Sequence, residues 1–172
     1  MKKVVLVVSA FLFVASLQAQ FNKATLQATG LTCSMCSNAV NKALQNVSFV
    51  ESVKSDIKNS SFDIVFKSNA EVSPDALKDA VEDAGFSVGS LKLTGSFNGL
   101  GIENNKHVKI GKQYFHFLQV NDQVLNGEKT ITVMDKNFVT EKVFKKYSNA
   151  TRASCEQTGK TESGERIYHV TI

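Results

Sequence analysis

The sequence has no tryptophan, a single proline and only three cysteines in 172 residues. It also lacks a long hydrophobic run. The longest, from Val4 to Leu17, falls short of the roughly 20 apolar residues that a membrane-spanning helix needs. One proline and a 42% apolar fraction exclude collagen-like and disordered chains. There is no concentrated basic block: 20 basic and 16 acidic residues give a formal charge of +4, so nucleic-acid binding loses its usual electrostatic warrant. No catalytic triad, phosphate-binding glycine loop or paired-carboxylate arrangement stands out, so the expectation is a binding protein and not an enzyme.

Lys2 and Lys3 precede the apolar run and Ala19 follows it, so residues 1–19 read as a secretory signal peptide cut before Gln20. The cut removes two lysines and no acids, leaving 153 residues at a formal charge of +2. No cysteine follows it, which argues against a lipid anchor there. The expected product is exported across the inner membrane to the periplasm, is not inserted in the membrane, and meets conditions that allow disulfides.

Apolar alternation predicts a strand over 22–29, and Gly30 ends it. Ala39, Val40, Ala43, Leu44 and Val47 recur at helical spacing. Phe49 to Ile57 and Ser61 to Lys67 read as a hairpin, with Phe62, Ile64 and Phe66 on one face. Ser73 is a candidate N-cap before Pro74 at the first helical position, Leu77, Ala80, Val81 and Ala84 form an apolar face, and Gly85 stops the helix. Phe86 to Leu93 closes the unit as a strand. This order predicts an α+β fold, a ferredoxin-like βαββαβ domain over 20–94. Gly95, Gly99 and Gly101 mark an expected linker over 95–101. Residues 102–172 then read as a smaller, mainly β domain of barrel or sandwich type, with Asn126-Gly127 as a turn and one helix over 140–147.

The informative constellation is Gly30-Leu31-Thr32-Cys33-Ser34-Met35-Cys36, between the first strand and the first helix. Two thiols three positions apart at a helix start can converge on one ion, and the helix dipole favours the thiolate that binds metal. Soft sulfur selects Cu(I), Hg(II) or Zn(II) over hard cations. Two sulfurs under-fill a tetrahedral zinc site, and no histidine occurs between Gln20 and Lys106 to complete one. The candidate metal ligands are therefore Cys33 and Cys36, holding a soft ion of low coordination number that a partner's thiolate can attack and remove.

On these residues the stretch from Asn22 to Leu93 resembles the heavy-metal-associated domain of copper chaperones, copper-pump N-terminal repeats and the periplasmic mercury-binding protein. The family motif is Gly-Met-x-Cys-x-x-Cys; Gly30, Thr32, Cys33 and Cys36 match it, while Leu31 replaces the usual Met at a position that faces the core in that family. That swap of similar apolar volume costs little. Gly85-Phe86 sits where the family carries an aromatic residue near the metal loop. The resemblance implies that Cys33 and Cys36 are the ligands, that Thr32 favours Cu(I), and that the partner is another metal-carrying protein or a membrane transporter.

Rival readings use the same pair. A structural disulfide would close too small a loop to stabilise much. A thiol-disulfide oxidoreductase lacks its Trp-Cys-Gly-Pro surroundings here. A scavenger of Hg(II) or Zn(II) is supported by the same thiolates. Cys155 leaves an odd thiol count, open to pairing with the motif or to a second site with His107, His116, His169 or Met134. None of these has the spacing of a local metal motif, so they read as packed or surface residues. Phe115, Phe117, Phe138, Phe144 and Tyr168 read as core, and Met35 as a loop residue shielding the thiols.

Overall fold

The computed structural model describes residues 20–148, 155 and 158–172. The expected signal peptide, 1–19, lies outside the described residues. Among the described residues no helix is long and apolar enough to cross a membrane.

The first half follows the alternation read from the sequence. Strand β1 (Gln20–Thr29) leads into helix α1 (Ser34–Gln45), then the hairpin of β2 (Val50–Asp56) and β3 (Ser61–Phe66), helix α2 (Pro74–Asp83) and strand β4 (Ser87–Ile102). Leu26, Phe62, Ile64 and Leu91 are at most 1% exposed, and they meet Val40 and Leu44 of α1 and Leu77 and Val81 of α2 in one core. Each such side chain contributes about 1.5–3 kcal/mol by burial. Ser73 caps α2, its hydroxyl accepting from the Ala76 N–H at 3.3 Å. The two helices pack on each other, α1 also on β2 and α2 on β4.

The second half differs from expectation. Residues 95–101 are not a linker: they lie within β4, which runs unbroken from the first half into the second. Its early part pairs with β1, and its whole length from Leu91 pairs with β7 (Gln123–Val133). Strands β5 (His107–Ile110), β6 (Gln113–Phe117), β7 and β8 (Ile167–Thr171) therefore extend the same sheet, in the order β2-β3-β1-β4-β7-β8-β6-β5, instead of closing a separate barrel or sandwich. Helix α3 (Glu141–Ser148) has Val143, Phe144 and Tyr147 as its half-buried face, as its spacing implies.

The glycines that resemble a linker serve the strand. A Cβ on Gly95 would lie 2.7 Å from the Gln20 carbonyl oxygen, so only glycine lets β1 pass that close. Gly99 takes φ +72 at an irregularity in the β4–β7 ladder, where the Asn126 side-chain oxygen accepts from its N–H at 2.8 Å. Asn126-Gly127 is thus the middle of β7, opposite Asn98 and Phe97, and not a hairpin turn. Gly95→Ala is expected to lower stability by about 1–3 kcal/mol through overpacking against backbone. Thermal unfolding checks this, since a linker glycine would leave the midpoint where it was.

Candidate metal centre

Gly30, at φ +84, turns the chain out of β1, and a Cβ there would sit 3.8 Å from the Phe86 ring. Leu31 packs partly buried against the core, as the family resemblance implies for that position, and Phe86, also packed on the core, lies beside Gly30 at the loop, where the resemblance expects an aromatic residue. Cys33 is the N-cap of α1: its backbone is extended, and its sulfur accepts from the Cys36 N–H at 3.4 Å. Cys36 lies in the first turn, so the two sulfurs come to 2.8 Å of each other. Cys33 is exposed and Cys36 partly so. The hydrogen bond from Cys33 lowers the pKa of the Cys36 thiol; desolvation opposes this, and the Thr32 backbone and hydroxyl add to the lowering, the hydroxyl 4.0 Å from the sulfur. No acidic residue occupies the first turn to oppose a thiolate there. Met35 lies in the helix, not in a shielding loop, and is 81% exposed beside the thiols.

The residues set aside in the second half are not scattered. His107 faces His116 across the β5–β6 pair, and His116 faces His169 across the parallel β6–β8 pair. Directly opposed residues share a face, so three imidazoles form a row across three adjacent strands. Cys155 is buried beside them. His116 and His169 are 1% and 3% exposed, more buried than strand alternation alone implied. Burial, then the neighbouring His169 and His107, pushes the His116 pKa down to about 4. The expected aromatic core sits on the other face of the same strands: Phe115, Phe117 and Tyr168 are at most 2% exposed, joined by Phe138, while Phe144 is half-buried. Spacing along the chain gave no sign of the imidazole row because its members come from three separate strands. The one local clue was Gly111-Lys112, whose two-residue connection sets His107 opposite His116.

A split βαβ sheet carrying two vicinal thiols at the start of its first helix defines a small soft-ion-binding module. The chain belongs to the family described as the heavy-metal-associated domain, which matches residues 25–87. It is 32% identical over 63 residues to the copper chaperone CopZ of Staphylococcus aureus, covering 37% of this chain and 91% of that protein. It is 43% identical over 58 residues to a copper-transporting ATPase of Arabidopsis thaliana, covering 34% of this chain but only 6% of that longer protein. Among solved structures, oxidized MerP from Ralstonia metallidurans is 33% identical, with 41% of this chain and 96% of that one covered and a TM-score of 0.36.

Proposed function

We propose that the protein is an exported, non-enzymatic carrier that takes up Cu(I) through Cys33 and Cys36 and hands it to a thiolate-bearing partner. The observation that carries this reading is the pair of sulfurs 2.8 Å apart at the exposed N-terminus of α1. Two thiolates satisfy a soft monovalent ion without closing its coordination shell. An incoming thiolate can therefore bind the ion before either resident sulfur leaves. One new metal–sulfur bond forms, one breaks, and the ion keeps its oxidation state throughout. Likeness to a copper chaperone over 91% of that chaperone's length supports carriage, and likeness to part of a copper pump supports a metal carrier or membrane transporter as recipient. The leader-like residues 1–19 support export to the periplasm. Met35, apolar and exposed beside the thiols, offers the partner a contact at the point of transfer.

The test is anaerobic titration of the fully reduced protein with Cu(I) against a competing chelator, followed by mixing with an apo dithiol acceptor protein. The expected result is tight binding at the pair and transfer without release to the chelator. Absence of Cu(I) binding under full reduction, with turnover of a disulfide substrate instead, would overturn the reading in favour of thiol redox exchange.

A further inference from the structure

The Cys155 sulfur lies 3.5 Å from His107 Nε2, 3.4 Å from His116 Nδ1 and 3.5 Å from His169 Nε2. The ligand atoms of His107, His116 and Cys155 all fall within 4.8 Å of one another. A tetrahedral zinc ion with a metal–sulfur bond of about 2.3 Å and metal–nitrogen bonds of about 2.0–2.1 Å places sulfur and nitrogen about 3.5 Å apart. All three sulfur–nitrogen distances agree with that value. We propose that His107, His116 and Cys155 form a second metal site, for a borderline divalent transition ion such as Zn(II), separate from the thiol pair, with His169, whose Nε2 lies 3.5 Å from the same sulfur but outside that 4.8 Å group, as its candidate fourth ligand.

Three further observations support it. His169 Nδ1 is 2.6 Å from a carboxylate oxygen of Asp135, an arrangement that fixes the ring and leaves Nε2 as the atom turned to Cys155. Carboxylate-backed histidines of this kind accompany metal ligation, because the carboxylate orients the ring and raises its basicity. The cluster is withdrawn from water: His116, His169 and Cys155 are 1%, 3% and 4% exposed, and their ring nitrogens and sulfur turn toward one buried point, the convergence that an ion completes. The donor set also selects the ion. Three imidazoles and one thiolate suit Zn(II) and its borderline neighbours, whereas magnesium and calcium require oxygen.

The site belongs to a different part of the sheet from Cys33 and Cys36. Those cysteines follow β1, while the imidazoles lie on β5, β6 and β8, three to five strands away, roughly 15–25 Å at the ordinary strand spacing. His116 and His169 also face away from Phe115 and Tyr168, whose side lies toward α2 through the hydroxyl that Tyr168 donates to Asp75. An ion here would tie the β5–β6 hairpin and β8 to Cys155, apart from any cargo passing through the thiol pair.

The experiment uses the Cys33→Ser, Cys36→Ser protein, reduced and metal-free, titrated with Zn(II) and separately with Co(II). The expected result is one equivalent bound, a tetrahedral Co(II) spectrum with a sulfur-to-cobalt charge-transfer band, and a metal-dependent rise in the thermal midpoint. Cys155→Ala added to that background should abolish the charge-transfer band. His107→Ala, at an exposed position that tolerates truncation, should weaken binding at least about tenfold with the metal-free fold intact. Absence of stoichiometric binding in the parent double variant, or binding that neither substitution changes, would overturn the proposal. Because Cys33 and Cys36 are absent throughout, failure here leaves the Cu(I) reading standing, and failure of that reading leaves this one standing.

Discussion

Replacing both Cys33 and Cys36 by serine is expected to weaken Cu(I) binding at the helix start by about three orders of magnitude or more, roughly 4 kcal/mol. Serine offers a neutral, hard oxygen where the soft ion needs thiolate, so both strong bonds disappear together. The fold should not suffer with them. Cys33 is exposed and Cys36 only partly buried, so little apolar burial is lost. Cys33 also occupies the N-cap, accepting from the Cys36 N–H, a position where serine ranks among the preferred residues. The metal-free unfolding midpoint should therefore stay level or rise slightly while Cu(I) affinity falls. Competition titration and thermal unfolding of the same samples separate the two effects. Stoichiometric Cu(I) held at wild-type affinity by the double variant would remove the proposed site.

What the sequence disclosed and what it concealed follow from how far apart in the chain the interacting groups lie. The thiol pair was legible because strand end, glycine turn, N-cap and helix start are contiguous from Thr29 to Cys36. The Ser73 cap and Pro74 start of α2 were legible for the same reason. Residues 95–101 misled because glycine has two opposite uses. A flexible connector and a strand that another backbone must approach closely draw on the same residue, and only the Gln20 carbonyl against Gly95 tells them apart. Asn126-Gly127 misled likewise, since a positive φ serves a tight turn and a strand irregularity equally well, and Gly127 sits at +70 inside β7. The imidazole row was the least legible. The parallel alignment of β6 with β8, which sets His116 beside His169, depends on β7 and β8 adding to the edge of β4. No local pattern encodes that step.

The extension of the sheet gives Arg166 a structural task that its sequence position does not reveal. Its guanidinium binds Asp75 of α2 through two nitrogens, at 2.9 and 3.3 Å, and Asp135 after β7 at 2.9 Å. It also donates to the Gly159 and Ile167 carbonyls and lies 4.2 Å from the centre of the Tyr168 ring. Tyr168 in turn donates to Asp75 at 3.0 Å, so the start of α2 is clamped to β8 from the other half of the chain. Arg166→Ala is expected to cost about 2–4 kcal/mol, because both carboxylates lose their charged partner while staying partly buried. For a chain of this size that is a fall of roughly 10 °C in the thermal midpoint. Lysine at the same position should recover only part of it, since one ammonium cannot span both carboxylates with paired nitrogens. Acid should dissolve the same clamp. Burial alone would raise the Asp75 pKa, but the hydrogen bonds and charge of Arg166, with the Tyr168 hydroxyl, outweigh it and leave it below the ordinary value of 3.8. A depressed carboxylate stabilises the fold above its unfolded pKa, and that stability is lost as pH falls through the lower, folded value. Wild-type protein should thus lose stability below about pH 4 more steeply than Asp75→Asn, which has no proton to take up there. Urea unfolding of wild type, Arg166→Ala and Asp75→Asn across pH 3 to 7 reads out both effects, and an Arg166→Ala midpoint equal to wild type at neutral pH would show that the two halves hold together without the clamp.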